Sequence, residues 1–184
     1  MSMPQEQPRP AYAPLAVLLT SVLLVGLALT WTYLGMRAVM DVGGSCASGG
    51  PYEIATPCPD GAVLISLGIP VLVASALLGS GLALRLRAPT LLLPMWAVLF
   101  GTLGWNFLDY GFRTADGPVW GWVICGVVFE LMALPAVAIL VLGLRSFRMP
   151  AAADVTNPAA WWAAYVVLAG AGLALGAWTF AAWS

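Results

Sequence analysis

The sequence predicts an all-α integral membrane protein: a bundle of five transmembrane helices, amino terminus in and carboxy terminus out, with one disulfide-stapled extracytoplasmic loop. Three observations carry that expectation. Of 184 residues, 61% are hydrophobic and only 8% are charged, whereas a soluble domain is about a quarter charged. Five apolar runs are each long enough to cross a bilayer, and nearly every charge falls at the boundary of a run.

A hydrocarbon core about 30 Å thick needs roughly 20 apolar residues in helical form, because every backbone N–H and C=O must be satisfied within the segment. The runs are 14–36, 62–84, 90–112, 119–142 and 159–181. The first, second and fifth hold no charge, the third holds Asp109 near its end, and the fourth holds Glu130 near its middle. Residues 1–13, with Pro4, Pro8 and Pro10 among Gln and Glu, read as a disordered cytoplasmic tail; 14–184 form the five-helix transmembrane domain. The first run is too long for a secretory signal core and lacks a small-x-small cleavage site, so it is expected to persist as a helix.

Arg9, Arg85, Arg87, Arg145 and Arg148 share one side of the predicted bundle, leaving only Arg37 and Arg113 on the other. The positive-inside rule makes the first side cytoplasmic, in a plasma (inner) membrane. Trp31, Tyr33, Trp120, Trp122, Trp178 and Trp183 then gather at the outer boundary, and Tyr12, Trp161 and Trp162 at the inner one. That is the depth at which an apolar ring with a polar edge is most stable. Trp96 and Trp105 fall deeper and are expected to pack against neighbouring helices.

Missing residue types exclude several chemistries. There is no His and no Lys, which removes Ser-His-Asp and Cys-His nucleophiles, His-ligated haem or zinc, and Schiff-base catalysis. No metal site and no cofactor is expected. Seven scattered Arg make no basic patch for nucleic acid. The expected partners are the lipid bilayer and either another membrane protein or further copies of the chain.

The segment 41–61, DVGGSCASGGPYEIATPCPDG, is too rich in Gly and Pro for a long helix or strand. It forms the outer loop, where an oxidising compartment favours a Cys46–Cys58 disulfide. Closing so short a loop contributes roughly 3 kcal/mol in the chain-entropy account. The spacing is too wide for the C-x-x-C of thiol exchange, so the pair reads as a structural staple. Cys125, inside the fourth run, reads as a small core residue. The runs GGSCASGGPYEIATPCP, GWNFLDYGF and WGWVICGVVFELM resemble uncharacterised small multi-pass membrane proteins of high-GC bacteria. The resemblance covers most of the chain and implies no activity, cofactor or site.

Two features are candidates for function. Thr102, Asn106, Asp109 and Arg113 recur at spacings of four, three and four, which puts them on one helix face. Asp109 can pair with Arg113, and Asp41 with Arg37, as interfacial ion pairs. Glu130 lies eleven residues into its run, about 16 Å deep at 1.5 Å per residue. No cation shares that depth, so its expected partners are Asn106, Thr102 and the hydroxyls of Thr20, Ser66 and Ser75. Pro135 frees the carbonyl of Leu131, which then needs a donor. Gly172 and Gly176 form a GxxxG pair suited to close helix packing inside the bundle.

These features support three readings. The first is a non-catalytic subunit, scaffold or assembly factor of a membrane complex. The second is a small transporter or a proton/ion pathway using Glu130, entered along the Asn106/Asp109 face. The third is a membrane-embedded enzyme acting on a lipid-soluble substrate.

Overall fold

The computed structural model describes residues 12–47, 56–113, 117–146 and 158–183, with the side chains of 143–146 and 158 left aside. It is all-α, with helices α1 (Tyr12–Asp41), α2 (Val63–Arg85), α3 (Leu92–Phe112), α4 (Trp120–Ser146) and α5 (Pro158–Trp183). Four of them, α1, α2, α4 and α5, are long and apolar enough to cross a membrane. α3 is not among these four, because Asn106 and Asp109 lower its hydropathy. The protein therefore has the make-up of a polytopic membrane protein.

Helix bounds follow the apolar runs, with differences at both ends of α1. That helix begins at Tyr12, so Tyr12 and Ala13 are helical and not part of a tail, and residues 1–11 lie outside the described set. It also continues past Met36 to Asp41, where Arg37 and Asp41 gain partners on α3. Pro14 is tolerated because the first helical turn has no intrahelical acceptor for its missing N–H.

α1 is the central element, packed along its length by α2 on one side and α5 on another. α3 rests less extensively on α1 and α2 and carries α4 on its far side. Backbones approach where side chains are absent. A methyl group added at Gly172 would run into the carbonyl of Leu23, and one at Gly176 would come 2.8 Å from the carbonyl of Leu27. From α1, Gly26 meets the backbone of Ala169 in return. The GxxxG pair is thus spent inside the bundle, on α1. Trp31 Nε1 donates to Thr179 Oγ1 at 2.8 Å across the same interface.

The α2–α3 connection is a tight reversal. Ala88 N–H donates to the carbonyl of Ala83 at 2.8 Å with Arg87 in the left-handed region at φ 52°, the Schellman closure that Gly normally provides. Pro89 follows, and its carbonyl accepts the Tyr165 hydroxyl at 3.0 Å. Leu18, Val22, Ala83, Leu91 and Tyr165 form the apolar core at this end of the bundle. At the opposite end Cys46 and Cys58 form a disulfide with Cα atoms 4.8 Å apart, and Ala47 N–H donates to the Thr56 carbonyl at 3.0 Å beside it. Residues 48–55 of the loop lie outside the described set.

Pro135 in α4 leaves its turn short of one internal hydrogen bond. The donor that arrives is Trp96 Nε1 from α3, at 3.0 Å, and it reaches Met132 rather than the expected Leu131. Two other expectations are corrected. Trp105 is 60% exposed, and Cys125 is exposed as well. Each lies deep along its helix, but each is one residue, about 100°, from a glycine that faces the α3–α4 contact, and so falls on a flank of that contact.

The backbone contacts at α1 and α5 predict a position-specific effect of adding one methyl group. Gly172→Ala should lower stability by about 1–3 kcal/mol through overpacking, while Gly170→Ala, where nothing lies within 4 Å, should be near neutral. Unfolding of the two variants in mixed micelles checks this; equal effects would mean that α5 does not seat on α1 in this register.

Candidate functional site

The polar stripe of α3 faces α1, and the long Arg37 side chain crosses to meet it. Arg37 Nη1 lies 3.0 Å from Asp109 Oδ2 and donates to Asn106 Oδ1 at 3.3 Å. Arg113 Nε closes on the other carboxylate oxygen, Asp109 Oδ1, at 3.1 Å, one helical turn away. Asp109 is therefore held between two guanidinium groups. Arg37 does not pair with Asp41, as its spacing of four suggested; Asp41 instead accepts the hydroxyl of Tyr110. The reason is reach. A guanidinium at the end of α1 gains a charge-assisted contact to a half-buried carboxylate on a neighbouring helix, while Asp41 is exposed to solvent.

No spacing in the sequence points to Tyr110, yet it occupies the centre of the cluster. The Arg37 guanidinium lies 5.0 Å from its ring centroid and that of Arg113 lies 5.9 Å away, with Tyr33 5.9 Å from Arg37. These distances allow cation–π attraction between the Tyr110 ring and both arginines. The one available signal was position: Tyr110 directly follows Asp109 near the end of the helix. Trp122 of α4 meets the Tyr110 ring edge-on at 6.5 Å and covers Gly44, tying the start of α4 to the end of α1.

The other members of the stripe have distinct roles. Asn106 is fully buried; its oxygen serves Arg37, and its Nδ2 has no hydrogen-bond partner among the described residues. The Thr102 hydroxyl turns back on its own helix, donating to Val98 O at 2.7 Å and lying 3.1 Å from Leu99 O. No group of three or more potential metal-ligating side chains is found among the described residues.

Glu130 stands apart from all of these. Its side chain lies against Gly104, where an added methyl would come within 2.8 Å of Cγ and of Oε1. Gly104 and Asn106 are two residues apart on α3, hence about 200° apart around it. The carboxyl and the polar stripe thus occupy opposite faces of one helix. None of the partners expected for Glu130 bonds to it, and among the described residues it has no hydrogen bond or ion pair. A groove of about 450 Å³ between α1 and α2, lined by Thr20, Ser21, Leu24, Val71 and Ser75 among others, touches neither Glu130 nor the stripe.

The arrangement separates two chemistries. Around Asp109, two guanidinium groups satisfy one carboxylate, and with the Tyr110 hydroxyl on Asp41 they fasten α1 to α3. On the far side of α3, a carboxyl sits half-buried among apolar side chains with no internal partner. Direct acid–base cooperation between Asp109 and Glu130 would need a path around α3. No protein family, curated protein or solved structure matches the chain.

Removing either arginine should separate fastening from decoration. Arg37→Ala leaves Asn106 Oδ1 and one side of Asp109 unpaired at a partly buried position, with an expected loss of about 1–3 kcal/mol. Arg113, 61% exposed, should contribute under about 1 kcal/mol by the same substitution. Thermal unfolding in detergent checks the order; a larger effect at Arg113 would refute the role given to Arg37.

Proposed function

We propose that the protein is a non-catalytic subunit or scaffold of a membrane complex, with all five helices crossing the plasma (inner) membrane, amino terminus in and carboxy terminus out. Support for α3 as the fifth span comes from its polar stripe, which is turned onto α1 and neutralised there instead of facing lipid. Support for the orientation comes from the arginines, five on one side and two on the other.

The observation that carries the subunit reading is Glu130 on α4. In their most apolar stretches, α4 and α5 are 22% and 11% buried, against 39% for α1 and α2. Lipid can cover an apolar helix face as well as protein can. It cannot satisfy a carboxyl, whose burial in hydrocarbon is unfavourable by about 3 kcal/mol when charged. A protein surface docked along α4 supplies what lipid lacks.

The pathway reading also draws on Glu130, a titratable group at membrane depth. It loses its proposed entrance, because the Asn106/Asp109 face opens toward α1 and is closed by Arg37. Any route to Glu130 would run along the open side of α4.

Two measurements test the proposal. Cysteines placed singly in 147–157 should react with membrane-impermeant reagent only from the cytoplasmic side; labelling of intact cells there would reverse the topology. Tagged protein purified in mild detergent should carry a second polypeptide in fixed ratio by native mass spectrometry, and Glu130→Gln should retain it. If the chain purifies without a second polypeptide, and Glu130→Gln abolishes ion or proton flux in vesicles while the fold persists, the pathway reading replaces the subunit reading.

A further inference from the structure

The seam between α3 and α4 has two unlike flanks. On one, Phe129 lies between Phe100 and Phe107, with ring centroids 5.9 and 5.5 Å away. Glu130 follows Phe129 and therefore turns about 100° onto the other flank. There it lies against Gly104, and the next residue of α3, Trp105, stands at the same level within about 1.5 Å of rise. Trp105 is 60% exposed, and among the described residues its indole N–H has no acceptor. Gly101, one turn away on the same flank, has nothing within 4 Å of an added methyl. Val127 and Leu134 on α4 are also open to the outside, at 46% and 55% exposure.

One flank thus presents, side by side and at one depth, an unpaired donor and an unpaired acceptor in an otherwise apolar surface. We propose that this flank pairs with the same flank of a second copy, so that Trp105 Nε1 of each chain donates to the Glu130 carboxyl of the other. Symmetry selects this occupant. Two copies inserted with the same topology are related by a two-fold axis along the membrane normal, which preserves depth and exchanges left for right. With the axis running between Trp105 and Glu130, each donor meets the other chain's acceptor. Both hydrogen bonds form in hydrocarbon, and small Gly101, with nothing within 4 Å of an added methyl, leaves room near the axis. The inference rests on α3 being a span and on the part of the subunit reading that has protein cover Glu130 along α4, and it names that protein as the chain itself.

The full chain, reconstituted in phosphatidylcholine–phosphatidylglycerol vesicles over a range of protein-to-lipid ratios, tests this by counting subunits through single-molecule photobleaching. A dimer is expected. Trp105→Phe keeps the ring and removes the donor, Glu130→Leu removes the acceptor, and each should weaken the dimer about ten-fold, two bonds being lost at once. The double variant should be no weaker than either single one, since both remove the same bonds. Glu130→Gln keeps an acceptor oxygen and should change association less than about three-fold. As a measurement independent of these variants, Gly101→Cys in a Cys125→Ser background should cross-link between copies on oxidation, and Gly170→Cys should not. A monomer at every ratio, additive effects in the double variant, or cross-linking through Gly170→Cys instead of Gly101→Cys overturns the proposal. Native mass spectrometry separates this inference from the reading beneath it. One copy bound to a different polypeptide removes the self-pairing and leaves the subunit role; two copies without any other polypeptide do the reverse.

Discussion

Three helices reach α1, and two of them do so through positions that carry almost no side chain. Gly172 and Gly176 bring α5 against the carbonyls of Leu23 and Leu27, and Gly68 of α2 fits beside Thr32 and the carbonyl of Ala28. In lipid there is little hydrophobic drive between helices, so stability depends on how closely backbones can pack. These close approaches fix the depth and rotation of α1. Everything polar then follows from that rotation, because it aims Arg37 at α3 and Trp31 at Thr179.

α3 is the one neighbour of α1 held mainly by polar contacts at one end and apolar ones at the other. Arg37, Asp109, Asn106 and Tyr110 fasten it near its carboxy terminus, while Leu91 is inserted with Leu18 and Ala83 near its start. Its fully buried Asn106 would be a poor residue to face lipid, and it is matched to an arginine instead. α4 is attached through α3, by aromatic stacking, by the Trp96 bond beside Pro135 and by Gly126 under Leu108. It is carried by α3 more than it belongs to the group around α1.

Much of this was legible in the residue order. Helical runs and the shared face of Thr102, Asn106, Asp109 and Arg113 follow from one-dimensional spacing, which helix geometry converts directly into position, and the disulfide follows from two cysteines sharing one loop. What spacing cannot supply is the rotation of one helix against another. A spacing of four pairs Arg37 with Asp41, yet the arginine has a better acceptor 72 residues away. Depth alone suggests that Trp105 and Cys125 point inward, and depth does not give direction. The same gap joined Glu130 to the Asn106 face, although α3 stands between them. Tyr110 carries no one-dimensional signal because its role exists only once two arginines, Arg37 of α1 and Arg113 just past α3, come near its ring.

The placement of Asp109 between Arg37 and Arg113 gives the two ends of the bundle different sensitivities to the surrounding medium. At that end the contacts are between charges that water partly reaches, with Arg37 24% and Asp109 18% exposed. Mobile ions therefore weaken them, as they do any pair within reach of the solution. At the other end, Leu18, Ala83 and Leu91 present nothing for ions to screen. A change in ionic strength around the Asp109 cluster thus alters the grip of α1 on α3 without touching the glycine-backbone contacts of α1 on α5.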